Sequence, residues 1–554
     1  MNKKLTKTVS EQKSLYLNIL DKNPNDYDTI LRLGLIYVKE NNLSIAKLKF
    51  KQLISIDISK FEGHLNLSNI YILEGKKNKA NDVLLNYLNN IDENIEIVNS
   101  LAINLLNSGK INDLEKHINK YINKQNNYIL YYLKGYLNKE KNNVTQAESY
   151  FKKSIHLNMY FWNSYYFLFK QYEKQSKLDK FKKLLDKAKE IFADNLKLYY
   201  FESLYLFRIK EYKQSFNILK KKEIERKFLS ETNDVDLADY YDLLCKVCEK
   251  LGKNNESYTL AIKRNKLILD FKENKNLNRE LILKTISAYK AFFDTKNKPK
   301  SRISLKGIKH DNLAFIIGFP RSGTTLLDTI LRSHTKTLVL EESPYLLNIR
   351  HDFFKKNQLS DILKINEKDK IKMQQQYFDS FDYKSNELII DKYPLNLIEL
   401  GFIKTLFPDS KIILAIRHPL DCIISCVLTS FKMNEGMINF ENIETTAFFY
   451  NECFDLLFRY FSYYEIKYHE IKYENVVENF KDEISKLLKF LNLEFEDNIY
   501  NFQKTAMKRD KISTPSYNQV IEPLYSSSIN RFKKFDEIKN IDVDIKRWIY
   551  EFSY

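Results

Sequence analysis

The chain has 554 residues, with 89 Lys and Arg against 72 Asp and Glu, a formal charge of +17. That length allows several domains or a repeat array with one domain, and the charge favours acidic partners over basic ones. Five cysteines, an odd number spread through a long chain, exclude a disulfide framework and suit a reducing compartment. No apolar segment follows Met1-Asn2-Lys3-Lys4, and no run of about 18 apolar residues occurs. A cytoplasmic chain with no signal peptide and no transmembrane segment is therefore expected.

The N-terminal half is self-similar. Leu33-Gly34-x-x-Tyr37 with Ala46-x-x-x-Phe50 returns 34 residues on as Leu67-Ser68-x-x-Tyr71 with Ala80-x-x-x-Leu84. It returns again as Leu101-Ala102-x-x-Leu105 with Leu114-x-x-x-Ile118. Further copies carry Gly135, Ala147 and Phe151, then Leu168, Phe169, Tyr172, Leu185 and Ala188. Weaker copies cover 199–219 and 240–262. The pattern resembles the tetratricopeptide repeat (TPR): antiparallel helix pairs, small residues at the close crossing, large apolar residues between units. The recurring Tyr and Phe are expected in the core. Cys245 and Cys248 form a lone C-x-x-C inside a helical stretch and read as buried helix residues.

A helical run over 279–293 closes the array, and a polar segment with Pro299 follows. The expected division is a repeat α-solenoid over 1–294, a linker over 295–306 and a second domain over 307–554. In that second domain strands are expected at Leu313–Ile317, Thr337–Leu340, Glu387–Ile390, Lys411–Ile416 and Glu470–Tyr473, with amphipathic helices between them. The alternation predicts an α/β fold with a central parallel sheet, whose ligands bind beyond the carboxyl ends of the strands.

The first strand runs into Gly318-Phe319-Pro320-Arg321-Ser322-Gly323-Thr324-Thr325 and then an apolar helical face, Leu326, Leu327, Ile330 and Leu331. This is the spacing of a phosphate-binding P-loop with threonine in place of lysine. Glycines let several N–H groups converge on one anion, and the following helix points its positive end at it. The fourth strand ends at Arg417, with Ser425 eight residues on, a natural second phosphate clamp. Glu341-Glu342 and Asp391-Lys392-Tyr393-Pro394 stand at two other strand ends. Eight scattered histidines show no metal-ligand spacing, and no metal is expected. No basic block with a recognisable binding fold supports nucleic-acid binding.

These motifs, from about residue 310 to 535, resemble the sulfotransferases. The likeness is greatest to the tyrosylprotein sulfotransferases and to bacterial enzymes fused to TPR arrays. The resemblance implies 3′-phosphoadenosine 5′-phosphosulfate (PAPS) as co-substrate. By it Arg321, Ser322, Gly323, Thr324 and Thr325 form the 5′-phosphosulfate loop, and Arg417 and Ser425 take the 3′-phosphate. Tyr473 contacts the nucleotide, and Arg531, before Phe532, reaches its 3′ end; the common ending there is Lys-Trp, so this chain departs from the pattern. Glu342, 21 residues after Arg321, would be the base, with Glu341 its alternative until side chains are placed. His418 is a competing base by analogy with cytosolic sulfotransferases, at a position that matches them poorly. Lys392 and Ser516 would stabilise the leaving group. The acceptor, a peptide, glycan or small molecule, would be presented by the TPR array, and a homodimer is compatible with the reading. Two other readings stay open: a P-loop nucleotide kinase or NTPase, which lacks its lysine here, and a non-catalytic TPR scaffold with a nucleotide-binding fold.

Overall fold

The computed structural model describes residues 9–124, 126–193, 195–294, 312–508, 528–541 and 543–554. The chain separates into two compact units, Met1–Ala193 and Asp194–Tyr554.

In the first unit helices alternate in antiparallel pairs: α1 (Val9–Lys22), α2 (Tyr27–Lys39), α3 (Leu43–Ile56), α4 (Phe61–Leu73), α5 (Lys77–Asn90), α6 (Ile95–Asn107), α7 (Ile111–Tyr121), α8 (Tyr128–Glu140), α9 (Val144–Leu157), α10 (Trp162–Lys174) and α11 (Leu178–Ile191). The repeat positions do what their sizes require. A Cβ added at Gly34 would lie 2.6 Å from the Phe50 ring, and one at Gly135 would lie 2.8 Å from Phe151. In the second pair Ser68 Oγ instead donates to the Ala80 carbonyl at 3.1 Å. Ala46, Ala80, Ala102, Ala147 and Ala188 are fully buried, as are Phe50, Leu84, Ile118 and Phe151. This is the expected TPR-type solenoid, built from close crossings at small residues.

The second unit begins with helices of the same kind: α12 (Leu196–Arg208), α13 (Tyr212–Leu219), α14 (Lys222–Glu231), α15 (Asp234–Lys250), α16 (Asn254–Leu269) and α17 (Arg279–Phe292). The α15/α16 crossing repeats the serine device, Ser257 Oγ donating to the Cys245 carbonyl at 2.9 Å. Cys245 and Cys248 are buried in α15, as expected of packing residues. These helices share one apolar core with the α/β domain that follows: Tyr240, Leu244, Ile286 and Phe293 join Phe315, Leu414 and Tyr450. Compactness thus divides the chain about a hundred residues before the expected linker, and residues 295–306 themselves lie outside the described residues.

The α/β domain carries a parallel sheet of β1 (Leu313–Gly318), β2 (Thr337–Glu341), β3 (Leu388–Lys392), β4 (Lys411–Ile416) and β5 (Tyr468–Lys472), in the order β2-β3-β1-β4-β5. Its strands are apolar runs because both faces are covered. Phe315, Ile317, Ile412 and Leu414 face one core, and Ala314, Ile316, Ile413 and Ala415 face the other. Around the sheet lie α18 (Thr324–Arg332), α19 (Tyr345–Phe354), α20 (Glu367–Phe378), α21 (Leu400–Leu406), α22 (Pro419–Leu428) and α23 (Ile443–Tyr464). Tyr473, expected as a strand residue, instead opens the short helix α24 (Tyr473–Glu478) directly after β5. No helix among the described residues is long and apolar enough to cross a membrane.

Candidate active site

The loop between β1 and α18 is shaped by two glycines. A Cβ on Gly318 would meet the Ala415 carbonyl oxygen at 2.4 Å, so only glycine lets the loop lie against β4. Gly323 has φ +97° and caps α18 from the left-handed region. Arg321 shares that region, φ 72°, without a glycine's freedom. Backbone strain at a non-glycine residue in a ligand loop is the kind that the surrounding structure has to hold in place. α18 starts at this turn, and the unpaired N–H groups of a helix's first turn are the kind of donors that suit an anion. The Ser322 hydroxyl is buried under the loop, with no hydrogen-bond partner among the described residues.

Arginines gather on the α22 side. Arg321 Nε donates to Ser425 Oγ at 3.0 Å, and Arg531 Nη1 approaches the same oxygen at 3.4 Å. Arg417 donates to the Arg321 carbonyl at 3.3 Å and to the Ser528 carbonyl, and lies 3.6 Å from Asp421. Its guanidinium also stacks over the Tyr473 ring, 5.0 Å from the centroid. Arg417 Nε is buried and makes no hydrogen bond among the described residues. Arg321 was expected at the 5′ side, yet its side chain joins the Arg417–Ser425–Arg531 group. Tyr473 holds two parts together, since its ring also packs beneath Gly323, where a Cβ would come within 2.9 Å of it.

Carboxylates gather on the other side, around Lys392. Its Nζ lies 2.9 Å from Glu342 Oε1, 3.7 Å from Glu341 Oε1 and 3.9 Å from Asp328 Oδ2. Lys392 and Asp328 are fully buried, whereas the Glu342 side chain is 30% exposed. Glu342 also has a positive φ of 47°, and its N–H donates to the Lys392 carbonyl at 2.8 Å. Beside this group Asp391 is buried and accepts from the Tyr377 hydroxyl at 2.7 Å. Burial pushes its carboxyl up to about 7, against the opposing pull of that hydrogen bond and the Lys392 charge.

One cavity of about 470 Å³ is lined by Arg321, Thr324 and Thr325 of the turn together with Glu342, while Arg417, Ser425, Arg531 and Lys392 stand behind its wall. Tyr393, Leu395, Phe431, Met433 and Met437 wall the rest, with Lys432 at the same wall. Glu341 is not among the residues lining this cavity. His418 is turned away, its ring stacked on Phe532 at 4.3 Å, and burial pushes its imidazole down to about 4 despite the Glu474 charge. Ser516 lies outside the described residues.

Sequence reasoning passed over Asp328. The signal was there, a carboxylate between Leu327 and Ile330 on an otherwise apolar helix. It also passed over Phe431 to Met437, a segment without motif or periodicity.

Residues 314–497 match the model of the sulfotransferase family. The match spans β1 through β5 and supports sulfuryl transfer as the general chemistry of this domain. An uncharacterised protein of Aquifex aeolicus (strain VF5) is 27% identical over 313 residues, which is 53% of this chain and 39% of that protein. The chain thus matches well under half of that relative's length. Among solved structures, the sulfotransferase domain of the Synechococcus PCC 7002 olefin synthase is 19% identical, covering 46% of this chain and 98% of that one, at a TM-score of 0.32. The sulfotransferase domain of the curacin biosynthetic pathway is 19% identical, covering 44% and 97%, at a TM-score of 0.29. A tetratricopeptide repeat protein from Parabacteroides merdae ATCC 43184 is 15% identical, covering 45% and 96%, at 0.34.

Proposed function

We propose that this chain is a PAPS-dependent sulfotransferase that acts on an acceptor hydroxyl, with Glu342 as the base. The observation that carries the reading is a cavity lined both by the turn residues Arg321, Thr324 and Thr325 and by the lysine-held Glu342. The donor set suits a nucleotide with two separate anionic ends. The N-terminus of α18 with Thr324 and Thr325 takes the 5′ end. Arg417, Ser425, Arg321 and Arg531 take the 3′-phosphate through charge-assisted hydrogen bonds. When bound, PAPS supplies the activated sulfuryl group.

The protein's own part is placement and proton transfer. Lys392 holds Glu342 Oε1, which fixes the orientation of the carboxylate in a partly buried site. Oε2 takes the proton of the acceptor hydroxyl. Lys392 also offsets negative charge that develops on the departing phosphate. The aromatic and thioether wall excludes water and packs the acceptor's apolar body. The acceptor itself would be a peptide, glycan or small molecule, presented with help from the repeats.

Calorimetry with 3′-phosphoadenosine 5′-phosphate, 5′-AMP and ATP–magnesium tests the reading. The expected result is tight binding that requires the 3′-phosphate and weakens in Arg417→Ala. A preference for ATP with magnesium would replace the proposal with a kinase or NTPase. No nucleotide binding at all would favour a scaffold.

A further inference from the structure

The donor site described above does not end at the α/β domain. Arg531 reaches Ser425 with Nη1 alone; its other edge is engaged elsewhere. Nε and Nη2 donate to Glu249 Oε1 and Oε2 at 2.6 and 2.7 Å, a two-pronged pair. Glu249 belongs to α15, a repeat helix, 282 residues away in sequence.

Glu249 stands in the last turn of α15, where the helix's own carbonyls are unfavourable to a carboxylate. Local helix preference does not explain it. The guanidinium of Arg531 does, because a planar fork matches a carboxylate with two parallel bonds and is thereby fixed in rotation. Fixing that edge leaves Nη1 aimed at Ser425.

A second contact from the same helix pair secures Ser425 itself. Arg264 of α16 is fully buried and donates to the carbonyls of Val427 and Leu428 at 2.9 and 3.1 Å, while Asp242 of α15 holds it at 2.7 Å. Asn265 adds a bond to the Val427 carbonyl at 3.0 Å. These are the end carbonyls of α22, which bears Ser425, so the repeat pair caps that helix at its negative end.

We infer that Glu249 is a positioning residue for Arg531, so that the α15/α16 repeat pair is part of the nucleotide 3′-phosphate site. The inference rests on the proposed function above and specifies which residue of the repeats serves it. Its consequence is physical: anything that shifts α15 shifts the arginine that reads the 3′-phosphate.

The test uses the full chain and calorimetric binding of 3′-phosphoadenosine 5′-phosphate and 5′-AMP. Freeing a long side chain that binding must then immobilise costs roughly tenfold in affinity. Glu249→Gln is therefore expected to weaken the 3′-phosphorylated ligand about tenfold and leave 5′-AMP unchanged. Glu249→Asp, which keeps both acceptor oxygens, recovers part of the loss. In an Arg531→Ala background the Glu249→Gln effect vanishes.

Equal weakening of both ligands would mean a merely structural pair and overturn the inference, as would unchanged or tighter binding of the 3′-phosphorylated ligand. If the parent chain itself fails to distinguish the two ligands, the functional reading falls and takes the inference with it. If the parent distinguishes them and Glu249→Gln does so equally well, the inference alone falls.

Discussion

Lys392 Nζ lies 2.9 Å from Glu342 Oε1 across the ends of two neighbouring strands, the lysine fully buried and the glutamate open to the cavity. The pair is asymmetric by construction. Lys392 is surrounded by Asp328, Glu341 and Glu342 within 3.9 Å, so it stays in place when one of them changes. Glu342 makes its ion pair with Lys392 and faces the space where an acceptor would sit.

Glu342→Gln is accordingly expected to fold normally and bind 3′-phosphoadenosine 5′-phosphate within a few-fold of the parent. Loss of a general base lowers turnover by about 10²–10⁴-fold. Single-turnover measurement with a labelled donor checks this. Turnover near the parent's would move the base to another group.

Lys392→Met should behave in the opposite way. It removes the cation from a buried group of carboxylates, and breaking such a set costs about 3–5 kcal/mol. Urea unfolding should show a lower midpoint with an unchanged slope. Glu341→Gln leaves that cation in place and is expected to lose less stability. An equal loss in both variants would show that Lys392 is not the element neutralising this cluster.

Gly323→Ala adds a Cβ where φ is +97° and the Tyr473 ring is 2.9 Å away. The left-handed conformation alone costs about 1–2 kcal/mol for an alanine. Tyr473 also stacks on Arg417, so the displaced ring disturbs that guanidinium. Reduced affinity for both 3′-phosphoadenosine 5′-phosphate and 5′-AMP is expected, since the proposed role of the loop is to hold the phosphate that both share. Binding at the parent's level would mean that the turn relaxes freely.

The fold was readable because two periods are written plainly in this chain. Small-to-large alternation every 34 residues gives the helix pairs, as Gly34 against Phe50 shows. Short apolar runs ending at Gly318, Glu341, Lys392 and Arg417 give the sheet and place the motifs at its carboxyl edge. The hidden parts depend on long-range contacts. Glu249 and Arg264 look like ordinary charges on repeat helices, and only the packing of α15 and α16 on α22 gives them partners. The turn of the Arg321 side chain toward Ser425 was equally unreadable, because loop spacing fixes a backbone and not a rotamer. Tyr473 was misplaced by a residue because a strand end and a helix start abut there without a glycine or proline between them.

Asp391 supplies a pH prediction. Burial pushes its carboxyl up to about 7, whereas an unfolded aspartate titrates near 3.9. From about pH 4 to 7 the unfolded chain has lost this proton and the folded chain keeps it. The stability that the group contributes is therefore complete below about pH 4 and is lost as pH rises through 7. Asp391→Asn, which can still accept from Tyr377, is expected to flatten this slope. Thermal unfolding at pH 5 and pH 8 reads it: the Tm difference should move in the variant's favour at the higher pH. Parallel pH profiles for the two proteins would show that Asp391 is already ionised when folded.

The last prediction concerns where the α/β domain begins. The sequence suggests a start near residue 307, after the polar stretch, but α17 is woven into the domain before that point. Phe293 packs so closely on Gly401 that a Cβ there would come within 2.8 Å of its ring, and Tyr289 donates to the buried Glu399 at 3.0 Å. Arg264 caps α22 from the helix before it. Losing one large buried aromatic costs about 3–5 kcal/mol, and whole domains hold only about 5–15 kcal/mol. We propose that the functional domain starts at the compact-unit boundary near residue 194. A chain beginning at residue 195 is expected to unfold cooperatively and to bind 3′-phosphoadenosine 5′-phosphate. One beginning at 295 is expected to lose both properties, because the removed helices carry Phe293, Tyr289, Arg264 and Glu249 together. Calorimetric unfolding and ligand binding on the two shortened chains decide between the boundaries: a folded, binding-competent chain from 295 would restore the later start and make the repeat helices dispensable.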